Sequence, residues 1–276
     1  MSICDSQLNL EQIDKLAKDL QKAKNIVVIT GAGISVASGI PPFRKSHDAV
    51  WEKNITEKGT WHYFKHHPVD SLSWYLKRFA VIEGKEPNPT HHALKTLEDW
   101  CTQEKKHFQL VTQNVDGLHH LAGSKKIIEI HGKYRYSRCI NSKCSYAAPQ
   151  GKIENSLLDF DTFTKNPTRE TIPRCPSCDS IVRPHILWFD EYYDGHIDYE
   201  YEKAIKNFVE ADLLIAIGTS FSVGITESAL YFSEKNQSIF WGLDLEADDD
   251  VPVDHWLLGK AEEVLPQLIN QLGAHH

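Results

Sequence analysis

The sequence predicts an α/β fold: a doubly wound parallel sheet with a small second module inserted into it. Three observations lead there. Short continuous apolar runs alternate with stretches of helical periodicity, a small-residue turn follows the first run, and one polar, turn-rich interval holds four of the six cysteines. Apolar runs that lack polar alternation suit strands buried on both faces, which is the condition of a parallel sheet covered by helices.

The elements follow in order. Leu10, Ile13, Leu16, Ala17 and Leu20 recur at helical spacing, so a helix precedes the first strand. That strand is the β-branched run Ile26 to Thr30, which enters the turn Gly31-Ala32-Gly33 and then a helix-compatible stretch. The turn looks like a phosphate-cradling loop, although Val36 stands where a Gly-x-Gly-x-x-Gly pattern needs its third glycine. Further strand candidates are "FQLVT" (108–112), "IIEI" (127–130), "HILWF" (185–189), "LLIAIG" (213–218) and "SIFWGL" (238–243). Helical stretches lie near 62–80, 91–104, 200–210, 224–235 and 260–272, and the acidic run "DLEADDDVPVD" reads as a solvated loop. The interval 133–184 breaks the alternation. The expected organisation is therefore a discontinuous dinucleotide-binding type of domain over 1–132 and 185–276, with a helical excursion near 45–90, and a module over 133–184.

Composition bounds the function. A chain of 276 residues with 41% hydrophobic and 25% charged content can bury a full core, and it has no internal repeats or low-complexity tracts. A formal charge of −8 gives no basic footprint for nucleic acid. The start "MSICDSQLNLEQ" lacks both a secretory pattern and an Arg-rich presequence, and the longest apolar runs are too short to cross a bilayer. A cytoplasmic protein with neither nucleic-acid nor membrane partners is expected. The two terminal histidines suggest a tag remnant rather than part of a site.

Cys139 and Cys144 have four residues between them, Cys175 and Cys178 have two, and thirty residues separate the pairs. Two such knuckles can complete a tetrahedral zinc site, and "RCPSCDS" supplies the Pro, Ser and Asp that a tight turn favours. Four protein ligands leave no open position, so the expected zinc is structural. Cys4 and Cys101 stand apart and are assigned to packing or surface.

Polar residues at strand ends of an open α/β sheet form its ligand crevice. Gln113, Asn114 and Asp116 follow "FQLVT", His131-Gly132 follows "IIEI", and Gly218-Thr219-Ser220 follows "LLIAI". The last is a small hydroxylic turn that lets a phosphate approach the backbone. Together with Gly31-Ala32-Gly33 they favour a bound dinucleotide.

At this point the sequence resembles the sirtuin family. The stretches "GAGISVASGIPPFR", "TQNVDGLH", "IHG", both cysteine pairs, "RPHILWFDE" and "IGTSFSV" occur in family order and cover essentially the whole chain. The resemblance implies a Rossmann-type domain that binds NAD, a zinc module beside it, and an acyl-lysine protein or peptide entering between them. It implies removal of the acyl group with release of nicotinamide, O-acyl-ADP-ribose and free lysine. His131 would be the general base on a ribose hydroxyl, a task suited to a neutral imidazole. Asn114 and Asp116 would position the nicotinamide ribose and carboxamide, and Gln113 the ribose. Gly31, Ala32, Gly33 and Ser35 would lie along the NAD site, with Phe43 and Arg44 closing over its nicotinamide end. Gly218, Thr219 and Ser220 would contact the phosphate and adenosine side, with Asp244 at the adenosine ribose and Ala261 nearby. "HILWFDE" would pair with the substrate as an added strand.

Three departures from the family pattern stand out: Pro42 for Asp in "IPPFR", Asp190 for Gly in "WFDE", and Asp244 where Asn is usual. Asp190 raises the question of whether that backbone needs a positive φ. The stretch "WYLKRFAVIEGKEPNPTHHAL" holds a Tyr-x-x-Arg pair, Tyr75 and Arg78, that resembles the subgroup removing succinyl, malonyl and glutaryl groups. An acyl carboxylate in a partly desolvated pocket needs a cation, and Arg binds it bidentately while a Tyr hydroxyl adds a donor. The expectation is an NAD-dependent protein lysine deacylase that prefers acidic acyl groups. A sirtuin-like NAD hydrolase or ADP-ribosyltransferase would share the cofactor site, and a non-catalytic NAD sensor is the alternative of another class. The intact "RPHILWF" and His131 favour deacylation.

Overall fold

The computed structural model describes residues 3–42 and 55–273. Nine strands form two sheets among the described residues: β1 (Asn25–Thr30), β2 (His107–Thr112), β3 (Ile127–Glu129), β4 (Gly132–Cys139), β5 (Ile153–Glu154), β6 (Val182–Ile186), β7 (Leu213–Ile217), β8 (Ile239–Asp244) and β9 (His255–Leu258). The large sheet runs β3-β2-β1-β7-β8-β9 with every neighbour parallel. Strand order reverses between β1 and β7, which places a topological switch point at their carboxyl ends.

Ten α-helices accompany them among the described residues: α1 (Ile3–Lys22), α2 (Ile55–Lys58), α3 (Trp61–His66), α4 (Pro68–Ile82), α5 (Pro89–Gln103), α6 (Leu118–Leu121), α7 (Phe160–Lys165), α8 (Tyr201–Glu210), α9 (Gly224–Asn236) and α10 (Ala261–Gly273). The pleat sends alternate residues of each strand to opposite faces. Ile26 and Val28 of β1, with Leu213, Ile215 and Ile217 of β7, meet Leu16 and Leu20 of α1, Leu94 and Leu97 of α5, and Leu265 and Leu268 of α10. Val27, Ile29, Leu214 and Ala216 face the other way, onto Ala204 and Phe208 of α8 and Ile225 and Ala229 of α9. The sheet is buried on both faces, which explains its unbroken apolar strands.

The smaller sheet has order β5-β4-β6 and is antiparallel. This corrects the reading of "HILWF" as a strand of the parallel sheet: the strand is Val182–Ile186, and it pairs with β4. The helical stretch near 62–80 is two helices. Thr60 caps α3 by accepting from the Tyr63 N–H at 3.1 Å, and Pro68 opens α4 in a first turn that needs no N–H at that position. A third apolar cluster joins Phe64, Leu72, Trp74 and Tyr75 of this helical excursion to Ile186 and Trp188, so α3 and α4 rest on the end of β6.

His91, His119 and His185 are essentially fully buried. Burial lowers His91 and His185 to about 4 and holds His119 well below the usual range. On unfolding, each ring regains its ordinary basicity near pH 6.5, so below that pH the unfolded state binds more protons than the folded one. Stability from these rings is therefore complete above pH 6.5 and is lost as pH falls. At about 1.4 kcal/mol per ring and pH unit, the three remove on the order of 4 kcal/mol between pH 7.5 and 5.5. Asp116, raised by burial, works in the opposite direction, but it is one group. The urea midpoint is expected to drop clearly over that range; an unchanged midpoint would show that the rings are not held neutral.

Candidate active site

The site gathers at the carboxyl ends of β1, β2, β3 and β7. After β1 the chain enters a tight 3-10 turn, Ala32–Ser38, rather than an α-helix. Its position is set by a close approach of two backbones. The Gly31 N–H donates to the Ile217 carbonyl at 3.0 Å and the Gly33 N–H to the Gly218 carbonyl at 2.9 Å. Gly218 has φ +58°, and a Cβ there would lie 2.7 Å from the Ile34 nitrogen. Side chains on Gly31 or Gly33 would meet Gly218 backbone atoms at 2.6 and 2.8 Å. The glycines thus interlock the turns after β1 and β7 at the switch point, a packing role beyond access for a phosphate. Asn88 anchors the same turn from α5: its side-chain amide donates to the Ile34 carbonyl at 2.7 Å and the Ser38 hydroxyl at 3.0 Å.

A buried polar chain crosses the crevice floor. The Asn114 amide donates to the Gly31 carbonyl at 3.0 Å and to Ser35 Oγ at 3.2 Å, and the Ser35 hydroxyl donates to Asp116 Oδ2 at 2.8 Å. Asp116 Oδ1 accepts the Leu118 N–H at 2.9 Å. Burial raises the Asp116 carboxyl, while Leu118 and Ser35 pull it back. Gln113 reaches the β7 side, donating to Thr219 Oγ1 at 3.0 Å.

His131 lies beside this chain. Its Nδ1 is 3.0 Å from the Gln113 carbonyl. A carbonyl only accepts, so Nδ1 carries the proton and the lone pair of the neutral ring is on Nε2. Burial lowers the imidazole to about 4, partly offset by that carbonyl, so the ring is neutral at pH 7. The next residue explains why the ring sits where it does. Gly132 has φ +87°, and a Cβ there would lie 2.2 Å from the His185 carbonyl. Nε2 is 3.3 Å from the Tyr193 hydroxyl. Tyr193 escaped the sequence reading because a tyrosine in "EYYDG" has no spacing that ties it to a strand end fifty residues and more before it.

Elsewhere Ser220 Oγ pairs with Ser222 Oγ at 2.7 Å, Asp244 Oδ1 accepts the Leu245 N–H at 2.7 Å, and Ala261 opens α10. Phe43 and Arg44 lie outside the described residues. Tyr75 is buried, stacked on Trp188 with centroids 5.8 Å apart, and Arg78 lies 3.4 Å over the Trp74 ring while donating to the Trp74 carbonyl at 3.0 Å.

The "WFDE" segment is held by a buried charge network. The Arg183 guanidinium stacks 3.3 Å over Trp188 and pairs with Glu191, which also accepts from Arg138 at 2.8 Å and from the Trp188 N–H at 3.1 Å. Asp190 has no positive φ. Its carboxylate accepts the Trp61 and His62 N–H groups, the first two of α3, at 2.6 and 2.9 Å. The N–H groups of Leu187, Trp188 and Phe189 all donate within the chain, the last to the Gly59 carbonyl at 3.0 Å.

In the small module, Cys139 and Cys178 sulfurs are 3.4 Å apart, Cys144 and Cys175 sulfurs 3.6 Å, and all four lie within 4.8 Å of one another. Tetrahedral Zn–S bonds of about 2.3 Å need sulfurs about 3.8 Å apart, so the four thiols fit a zinc ion. His185, His196 and Asp198 also converge. There both His196 nitrogens are engaged, by the Gly151 carbonyl at 3.1 Å and the Asp198 N–H at 3.1 Å, and Lys152 pairs with Asp198. Lys152 thus neutralises the one carboxylate of this cluster, while both His185 ring nitrogens are buried without a hydrogen-bond partner among the described residues.

A parallel sheet with a polar crevice at its switch point, flanked by a four-cysteine module, defines a dinucleotide-binding enzyme class. Residues 31–224 match the model of the Sir2 family, and the chain belongs to that family. It is 37% identical over 259 residues to an NAD-dependent protein deacylase of Leptospira interrogans serovar Lai, covering 93% of this chain and 96% of that one. It is 32% identical over 265 residues to an NAD-dependent protein deacylase of Pyrococcus abyssi, covering 94% and 98%. Among solved structures, a Sir2 homologue in complex with NAD superposes with TM-score 0.78 at 30% identity, covering 95% of this chain and 94% of that one. A mutant Sir2 homologue with 2'-O-acetyl ADP ribose gives the same score and identity, covering 95% and 96%.

Proposed function

We propose that the protein is an NAD-dependent protein lysine deacylase with a preference for acyl groups that end in a carboxylate. The observation that carries the first part is His131, a neutral imidazole with its proton fixed on Nδ1 and its lone pair at the crevice formed by the strand ends. The likeness to homologues bound to NAD and to 2'-O-acetyl ADP ribose supports it. Ser35, Gln113, Asn114, Asp116 and Thr219 would hold the dinucleotide, a donor and acceptor set that suits ribose hydroxyls and an amide. When bound, NAD supplies an electrophilic ribose carbon from which nicotinamide can leave. His131 Nε2 accepts a proton from a ribose hydroxyl, and the Gln113 carbonyl stabilises the imidazolium that results. Asn114, Ser35 and Asp116 form a preorganised polar surface that needs no rearrangement. The substrate would enter as an added strand against the "HILWFDE" segment, using groups other than the three N–H donors already engaged. Mass spectrometry of products from enzyme, NAD and acyl-lysine peptides tests the reading: O-acyl-ADP-ribose supports it, while ADP-ribose alone means hydrolysis and no turnover means sensing.

Acyl preference rests on Tyr75 and Arg78. Burial lowers Arg78 to about 10, so it is cationic at pH 7, and burial raises the Tyr75 phenol, which stays a donor. A guanidinium has five N–H donors, and a bidentate carboxylate needs two. The half-buried cation beside an aromatic wall gives such a carboxylate a partner in a region of reduced dielectric. Charge-assisted bonds of about 1.5–3 kcal/mol correspond to roughly 10- to 150-fold in kcat/KM. Arg78→Met is expected to lose about that much on succinyl peptides and less than about 3-fold on acetyl peptides. Equal losses on both, or a wild-type preference for acetyl, would remove the acidic-acyl pocket.

A further inference from the structure

Tyr193 belongs to a short 3-10 turn, Tyr193–Gly195, between the "WFDE" segment and α8. Its ring stacks on His131 with centroids 5.9 Å apart and planes 22° apart, and on Tyr201 at 5.2 Å and 12°. The edge of the ring faces Gly224 at the start of α9, where an added Cβ would come within 3.5 Å of Cε2. Three rings in register leave Tyr193 little freedom to turn away.

The hydrogen-bond directions follow from the donors present. In the neutral ring, the Nδ1 proton donated to the Gln113 carbonyl leaves a lone pair on Nε2, so between the two partners the Tyr193 O–H is the donor. Its acceptor is Nε2 of His131, at 3.3 Å, because Nδ1 already donates to Gln113. We propose that Tyr193 is a positioning residue for the general base, its hydroxyl holding the imidazole in the tautomer with the lone pair on Nε2 until a ribose hydroxyl displaces it. The proposal rests on the reading of His131 as that base. No atom is transferred to Tyr193: the phenol gives up an acceptor and the ribose hydroxyl gains it. Burial pushes the Tyr193 phenol up to about 12, so it remains a donor throughout the working range. The titratable groups behind it are Tyr201 and Glu227, while Gln113 on the other side of His131 is neutral.

An O–H donated to Nε2 stabilises the neutral imidazole. Removing it is expected to raise the titration of His131 by about half to one pH unit, the worth of one net hydrogen bond. Tyr193→Phe in the full chain keeps the stacked ring and deletes only the hydroxyl. Expected are an upward shift of that size in the His131 side-chain NMR titration, the same shift in the acid limb of kcat/KM, and a kcat about 3- to 10-fold lower with KM for NAD unchanged. Tyr201→Phe keeps the stack as well and is expected to leave both titrations in place. An unmoved His131 titration in Tyr193→Phe overturns the proposal, as does an equal shift in Tyr201→Phe, which would trace the effect to packing. An NMR shift with a static rate limb confirms the tether and instead removes His131 from the base role.

Discussion

Replacing His131 with alanine is expected to lower kcat/KM for deacylation by ~100- to 10,000-fold. The size of the effect follows from what the substitution removes. Nε2 is the lone pair that the tautomer leaves available at the crevice, and no neighbour can replace it. Asp116 is committed to Ser35 and the Leu118 N–H, and Asn114 and Gln113 carry amides that cannot accept a proton near neutral pH. The fold has little reason to fail, because the β2–β3 pairing before the ring and the β4–β6 pairing after it fix the backbone on either side. NAD affinity is expected to change little, since the Asn114–Ser35–Asp116 chain and the Gly31–Gly218 interlock do not pass through His131. Steady-state kinetics on an acyl peptide, with calorimetry for NAD, separate the two. A variant that turns over at near the wild-type rate would remove His131 from the chemistry.

Much of the parallel sheet could be read from periodicity, because β1, β2, β7 and β8 are buried on both faces and write themselves as unbroken apolar runs. The limits have physical causes. β9 went unread because it is a four-residue edge strand, half-exposed, and preceded by an acidic loop. "HILWF" carries the apolar signature of a buried strand, yet an apolar run says nothing about its partner, and this one pairs with β4. The glycines at 31, 33 and 218 are visible as punctuation, whereas their mutual packing across 185 residues of sequence is a product of the sheet order. Asp190 shows the same divide. In sequence it is a departure that questions the backbone, and in three dimensions its carboxylate accepts the first two N–H groups of α3, 128 and more residues away. Strand-end residues are local and legible. Partners brought from another element, such as Tyr193 onto His131, are not.

Loss of one zinc ligand is expected to have the other large effect. The apolar cluster of the small module is slight: Ala147, Ile153 and Val182 are its buried members besides Cys139 and Cys175. Much of the chain between β4 and β6 is turn and irregular structure, with one two-residue strand, one 3-10 turn and one short α-helix. So small a core cannot offset the conformational entropy of ordering such loops, and a metal has to supply the difference. The thiols are arranged for it. The Ser180 hydroxyl and N–H lower the Cys178 thiol, while burial raises Cys139 and Cys175. Without a cation these two buried thiols are held protonated, and a metal is what favours their thiolates. Structural zinc in small finger peptides contributes roughly 10–16 kcal/mol at pH 7. Cys175→Ser or Cys178→Ser is therefore expected to release the ion and unfold the module locally, with hydrogen exchange rising over residues 139–182 while the parallel sheet stays protected. Activity should fall with it, because β4 begins one residue after His131 and β6 ends two residues before Trp188. Metal analysis is expected to find one zinc per chain in the wild type and almost none in either variant. A wild-type protein without zinc, or a Cys178→Ser variant with full zinc and unchanged exchange, would show that the four sulfurs meet for packing alone.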